Sequence, residues 1–69
     1  MPLTFIRVGQ TASIKAILGK DATKKFLCSL GFTAGESVTV VAENGGNLIL
    51  CVKDSRIALD KSMAQRIQV

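Results

Sequence analysis

The side chains that could do chemistry in this 69-residue chain are two cysteines and five carboxylates, and there is no histidine. The thiols are Cys28 and Cys51, and the acids are Asp21, Glu36, Glu43, Asp54 and Asp60. Without histidine, the chain lacks the usual general base at neutral pH and the usual partner that activates a serine or cysteine nucleophile. No two acids are spaced to share a helix face. We therefore expect no catalytic residue, and an enzyme is the least favoured class of function.

The sequence also offers few ligands for a metal ion or a cofactor. Iron(II) and manganese(II) favour imidazole and carboxylate ligands, and closed zinc sites favour cysteine with histidine. Cys28 and Cys51 are far apart in the sequence, and we expect two free thiols in a reducing compartment. Gly45-Gly46 lies between two predicted strands and not before a helix, so it is not a phosphate-binding loop. The sequence predicts no dedicated metal site and no cofactor.

The elements that position these side chains are clearest between Asp21 and Val41. Asp21 is typical of a helix N-cap, and Gly31 is typical of the left-handed residue that ends a helix. Between them we predict a helix over Thr23 to Leu30, whose apolar stripe is formed by Thr23, Phe26, Leu27 and Leu30. We expect Cys28 on the outer face of this helix.

The rest of the chain predicts short strands. Strands are expected over residues 11–18, 37–43, 48–53, 57–59 and 66–69, with Gly45-Gly46 in a tight hairpin turn and Asp54 to Arg56 in a second turn. In the first strand, alternation puts Ile14, Ala16 and Leu18 on one side. Residues 1–69 are thus one mainly β domain, a bent meander of about five strands with one inserted α-helix, and Leu3 and Phe5 could hold the N-terminus against it.

One ordered set of residues resembles a known family. Leu27-x-x-Leu30-Gly31-Phe32-x-x-Gly35-x-x-Val38-x-Val40 is similar to the signature of the FeoA family, the small ferrous iron transport protein A. The same domain occurs at the C-terminus of diphtheria-toxin-repressor-type metal regulators. Further matches in the family's order are Ile14-x-x-Ile17, Gly45-Gly46, Ile57-Ala58-Leu59 and Ala64-x-x-Ile67-x-Val69.

The resemblance implies a small SH3-like barrel and a role in ferrous iron transport. It implies docking to a membrane ferrous iron transporter that has a cytosolic nucleotide-binding domain, with the barrel modulating the transporter's conformational balance. It also implies transition metal ion binding, for which this sequence has few suitable ligands. The alternative is a domain associated with a metal-sensing regulator. The N-terminus has no signal-peptide layout, which predicts a cytoplasmic protein.

A docking surface is predicted from charge and position. The net charge is +4, but the basic residues are scattered and the three phenylalanines are the only aromatics, so we expect no nucleic-acid partner. The candidate partner-binding residues are Lys20, Lys24, Lys25, Cys28 and Phe32, with Phe32 as a partly exposed anchor. Two alternatives remain open, namely a buried Phe32 with lysines that only confer solubility, and docking on the outer strand face at Ile49 and Cys51. Self-association is also left open.

Overall fold

The computed structural model describes residues 1–69, and it confirms a mainly β chain with one inserted helix. The elements, in chain order, are a 3₁₀ turn at Leu3–Phe5, β1 (Thr11–Ser13), β2 (Ala16–Ile17), α1 (Ala22–Ser29), β3 (Ser37–Asn44), β4 (Asn47–Val52), β5 (Ser55–Asp60), α2 (Lys61–Ala64) and β6 (Ile67–Gln68). One antiparallel sheet has the strand order β1-β3-β4-β5, and the second pairs β2 with β6. No helix has the length and apolar character required to cross a bilayer.

The predicted single strand over residues 11–18 is wrong, because this segment contributes to both sheets. β1 pairs with β3, and β2 pairs with β6, so the chain passes from one sheet to the other between Ser13 and Ala16. The change of sheet interrupts the alternation. Ile14 and Ile17 are buried, whereas Ala16 and Leu18 are exposed. The fold therefore has six strands, where about five were predicted.

The core lies between the inner faces of the two sheets and the helices. Fourteen apolar residues form it, namely Leu3, Ile14, Ile17, Leu27, Phe32, Val38, Val40, Leu48, Leu50, Val52, Leu59, Ala64, Ile67 and Val69. Alternating residues of β3 and β4 supply five of them, as expected for strands with one buried face. No polar or charged side chain is buried. The core is consequently held by apolar packing, with hydrogen bonding confined to the backbone and the surface.

Two hairpins order the larger sheet. Gly45 and Gly46 have φ angles of +57° and +88° and join β3 to β4, as their sequence predicted. The second turn lies at Lys53 and Asp54, with φ angles of +49° and +64°. Asp54 to Arg56 was thus the wrong position for this turn, because β5 already begins at Ser55. Asp54 is compatible with a left-handed turn, but aspartate is also common at the first position of ordinary turns, so its presence did not fix where the turn lies.

The predicted helix is confirmed, including its signals at both ends. Asp21 Oδ1 accepts a hydrogen bond from the Lys24 N–H at 3.3 Å, and Gly31 has a φ angle of +106°. The Phe32 N–H then donates to the Leu27 carbonyl at 3.2 Å, which closes the helix end. At the N-terminus of the chain only half of the expectation holds: Leu3 is buried, but Phe5 is 69% exposed.

Candidate protein-interaction surface

Helix α1 is fixed to the rest of the fold at its N-terminal end. The Arg66 Nη1 donates to Asp21 Oδ1 at 2.8 Å, across 45 residues of sequence, and the Leu18 N–H donates to the Arg66 carbonyl at 2.8 Å. Arg66 therefore joins the segment before β6 to the loop that leads into α1. The helix also lies against β2. These contacts give α1 a defined orientation on the surface.

The exposed side of α1 is one continuous helix face. The exposed residues of the helix are Ala22, Lys25, Phe26 and Ser29, at the spacing i, i+3, i+4 and i+7. Residues at this spacing lie next to one another on a helix. We call these four residues the α1 face. Phe26 is 50% exposed on it, and its neighbours Ala22 and Ser29 are small. A large aromatic ring thus projects from a face that an incoming surface can approach closely.

The loop before α1 extends this face with further apolar and basic groups. Leu18, directly after β2, is 52% exposed, and Lys20 is exposed beside the helix N-cap. Lys20, Lys24 and Lys25 form no salt bridge, since the three ion pairs of the fold are Lys53–Glu36, Lys61–Glu43 and Arg66–Asp21. The nearest acid in sequence, Asp21, is already paired. This part of the molecule therefore presents uncompensated positive charge.

The two acidic caps are held in their ionised form. The Arg66 guanidinium and then the Lys24 N–H lower the pKa of Asp21 below its ordinary value of 3.8. The Met63 N–H, followed by the Ser62 hydroxyl, lowers the pKa of Asp60 in the same way. Each carboxylate accepts hydrogen bonds that favour its charged form. Both acids act as structural caps of helix ends.

Three of the five predicted partner-binding residues are not on the α1 face or its adjoining loop. Phe32 is fully buried, so its predicted partial exposure is wrong. Its amide closes the helix end, and this bond carries the ring into the core. Lys24 and Cys28 are half-buried on the flank of α1, and Cys28 packs against the core cluster. Lys20 and Lys25 are exposed as predicted.

The sequence pattern does not predict the exposure of Phe26 and Leu18. Phe26 was assigned to the core stripe with Leu27, but adjacent helix positions are separated by about 100° of rotation, so both cannot face the core equally. Leu27 occupies the centre of the buried side, and Phe26 lies at its edge. The spacing of Lys25 and Phe26 with Ala22 and Ser29 is the signal that could have identified the exposed face.

The alternative surface at Ile49 and Cys51 is also present, on the outer side of the larger sheet. Ile49 lies opposite Ala42 on β3 and Ala58 on β5, and Cys51 lies opposite Thr39 and Arg56. Ile49 and Cys51 are both half-buried. None of these side chains is aromatic, so this surface has no projecting ring.

The groups with potential reactivity are dispersed over the fold. Cys28 and Cys51 are free thiols on different elements. Four of the five acids make structural contacts: Asp21 and Asp60 cap helices, and Glu36 and Glu43 pair with lysines. No group of three or more Cys, Asp or Glu side chains is placed to hold a metal ion.

Comparison with known proteins places the chain in a family. The sequence model of the FeoA domain matches residues 1–69. A protein of Methanocaldococcus jannaschii, assigned as an Fe(2+) transport protein A, is 29% identical over 68 residues, which are 99% of this chain and 83% of that protein. The chain is also similar to FeoA of Stenotrophomonas maltophilia, crystallised with zinc and described as a prokaryotic SH3 domain protein. That likeness has a TM-score of 0.90 and 32% identity, over 100% of this chain and 88% of the other.

The fold alone is shared more widely. A manganese-dependent transcriptional repressor superposes with a TM-score of 0.86 at 21% identity, over 97% of this chain and 39% of the repressor. The SH3-like architecture implied by the sequence resemblance is thereby confirmed. With its whole length matched by the family's sequence model and its fold shared with solved members, the chain belongs to the FeoA family.

Proposed function

We propose that this chain is a cytoplasmic, non-catalytic accessory protein of ferrous iron uptake that docks through the α1 face onto the cytosolic domain of a membrane ferrous iron transporter. The family and the names of the relatives support the transport system as the setting. The M. jannaschii relative is assigned to Fe(2+) transport, and the S. maltophilia protein is described as a candidate ferrous iron transport activating factor.

The main support for docking at the α1 face is the exposed ring of Phe26, which lies between the small side chains of Ala22 and Ser29. Aromatic anchors with a polar or charged rim are typical of the residues that dominate binding energy at interfaces. Phe26 supplies the anchor, and Lys20 and Lys25 supply the rim. The unpaired lysines favour an acidic surface on the transporter, since complementary charge accelerates encounter and fixes orientation.

The lysines near the start of α1 are unfavourable for the helix itself, which supports a role outside folding. The first turn of α1 contains no acidic residue, and Lys24 and Lys25 follow the N-cap closely. A helix N-terminus carries partial positive charge and is stabilised by acids, not by lysines. Basic residues at these positions are therefore better explained by a partner than by the stability of α1.

Modulation of the transporter would follow from a difference in the affinity of this chain for the transporter's two conformations. A bound barrel shifts the transporter between two conformations only to the extent that it binds one of them more tightly. Four of the chain's five carboxylates are occupied as caps and ion pairs, which supports a binding role in preference to a chemical one.

Charge reversal at the rim tests this proposal. Lys20→Glu with Lys25→Glu should weaken retention of the chain on membranes that contain the transporter, more strongly at low salt, because screening is then weakest. The melting temperature should stay the same or rise, since acids near the start of α1 suit the helix dipole. Arg7→Glu with Lys15→Glu is the matched control, because both side chains are exposed cations outside α1 with no ion pair. Equal retention of the two double variants would place the docking site elsewhere.

The regulator alternative rests on the fold shared with the manganese-dependent repressor. It has its own measurement, which is retention of the chain on operator DNA together with the DNA-binding module of such a regulator. Retention there, with none on transporter membranes, would favour this alternative.

A further inference from the structure

Strand β5 forms a long free edge of the larger sheet. The strand order is β1-β3-β4-β5, so β5 is paired on one side only, and the opposite edge, β1, has just three residues against six in β5. Edges of this length usually carry a proline, a bulge or inward-pointing charge that prevents pairing. The sequence of β5, Ser-Arg-Ile-Ala-Leu-Asp, has no proline, and its register with β4 is uninterrupted.

The register shows which backbone groups are free at this edge. Val52 lies opposite Ser55 across the two-residue turn, so Ser55, Ile57 and Leu59 direct their N–H and C=O groups toward β4. Arg56, Ala58 and Asp60 alternate with them and direct theirs away from the sheet. Neither Arg56 nor Ala58 takes part in any backbone bond to a turn, loop or cap of the chain, and both residues are exposed. The edge is thus open for a further strand.

Charges on β5 are arranged so that the strand complements itself. An antiparallel second copy of β5 centred on Ala58 would place Arg56 opposite Asp60 of the other copy, twice by symmetry, with the two small Ala58 side chains opposite each other. In this register the two Ala58 residues form a hydrogen-bonded pair, in which each donates its N–H to the other's C=O. These are the backbone groups of Ala58 that point away from β4. Opposite charges facing across strands stabilise a pair, and like charges destabilise it.

The two charged groups are available for this contact. Arg56 has no carboxylate partner within its own chain. Asp60 uses Oδ1 to cap α2, accepting from the Met63 N–H at 2.9 Å and the Ser62 hydroxyl at 2.8 Å, and its other carboxylate oxygen makes no hydrogen bond. We propose that β5 is a self-association edge through which two copies of this chain pair as one continuous antiparallel sheet, with a two-fold axis at Ala58.

The oligomeric state in solution tests this inference independently of docking at the α1 face. Sedimentation of the wild-type chain over a range from about 10 µM to about 1 mM should show a reversible monomer–dimer equilibrium, with the weak affinity typical of a small interface. Arg56→Glu places two acids opposite each other at both symmetric positions, and should raise the dimer dissociation constant about tenfold or more. Arg7→Glu makes the same change of charge at an exposed residue outside β5 and should leave the constant unchanged.

Amide hydrogen exchange of the wild-type chain gives a second test that needs no substitution. The Ala58 N–H should become more protected as protein concentration rises, whereas the Ile57 N–H, already bonded to β4, should not respond. A monomer at every concentration, equal dissociation constants for the two variants, or exchange at Ala58 that is independent of concentration would each overturn the proposal.

Discussion

At the scale of single residues, Gly31 determines how α1 ends and where Phe32 goes. Its φ angle of +106° is in the region that favours glycine, and the next amide bonds back to Leu27, which carries the Phe32 ring into the core. A Cβ atom at position 31 would lie 3.4 Å from Lys53 Cδ and 3.8 Å from Val52 Cγ1, which is close to ordinary contact. The restriction to glycine at this position is therefore one of backbone conformation.

Replacing Gly31 with alanine should destabilise the fold. The expected loss is about 1–2 kcal/mol in the free energy of unfolding, because a left-handed conformation is strained for a residue with a Cβ atom. Urea denaturation measures it. Gly35→Ala is the control for an effect of contacts, since Gly35 has a φ angle of +91° with no atom within 4 Å of the added Cβ. If the cause is backbone conformation, Gly35→Ala should be destabilised as well. If both variants had the free energy of unfolding of the wild-type chain, the restriction to glycine would not come from backbone conformation.

The turn at Lys53 and Asp54 is a second site of residue-scale strain. Both residues have positive φ angles, and the second position of such hairpin turns prefers glycine. Asp54→Gly should raise the free energy of unfolding by about 0.5–1 kcal/mol. The reverse change in the other hairpin, Gly46→Asp, should lower stability by a similar amount. Thermal denaturation of both variants checks the pair, and a destabilised Asp54→Gly would indicate that the aspartate has a role that its contacts do not reveal.

The acidic caps make stability depend on pH. The hydrogen bonds to Asp60 lower its pKa in the folded chain below the ordinary value of 3.8. This contribution to stability is therefore present above the unfolded pKa and is lost as the pH falls through the lower folded pKa. Asp60→Asn keeps a good N-cap but cannot titrate, so its stability should fall less steeply below about pH 4 than that of the wild-type chain. Asp54→Asn is the matched control, and equal acid slopes for Asp60→Asn and the wild-type chain would contradict this linkage.

At the scale of elements, the sequence predicted those whose ends carry strong local signals. The N-cap Asp21, the terminal Gly31 and the Gly45–Gly46 turn are local, so α1 and the β3–β4 hairpin lie within one or two residues of their predicted bounds. The passage of residues 11–18 from one sheet to the other depends on pairing with β3 and β6, which are distant in sequence. No local pattern encodes that change.

The candidate surface was predictable only in part, for a related reason. Lys20 and Lys25 are exposed as their charge predicts. Which of the phenylalanines is exposed depends on the exact rotation of α1 and on the path after Gly31, and both are set by tertiary packing. The expected burial of Phe26 is consequently wrong, and for Phe32 the alternative of a buried ring is the correct one.

At the scale of the whole molecule, the buried apolar residues form one core cluster, and two surfaces outside it have features that suit a partner. The α1 face offers an aromatic anchor with a basic rim, and the β5 edge offers unpaired backbone with self-complementary charge. The proposed docking to a transporter and the proposed pairing of two copies therefore use different elements. A dimer formed through β5 leaves the α1 face of each copy free to bind.

Phe26 is proposed to anchor this chain to a transporter, and calorimetric titration with the transporter's soluble cytosolic domain tests this role. Phe26→Ala should weaken binding at least about tenfold, corresponding to about 1.4 kcal/mol, since anchor residues dominate interface energies. Phe5→Ala is the control, because that ring is 69% exposed in the N-terminal 3₁₀ turn, outside α1. Wild-type affinity for Phe5→Ala with lost affinity for Phe26→Ala is the predicted result. Equal affinities for the two variants, or loss of binding by Phe5→Ala alone, would contradict it.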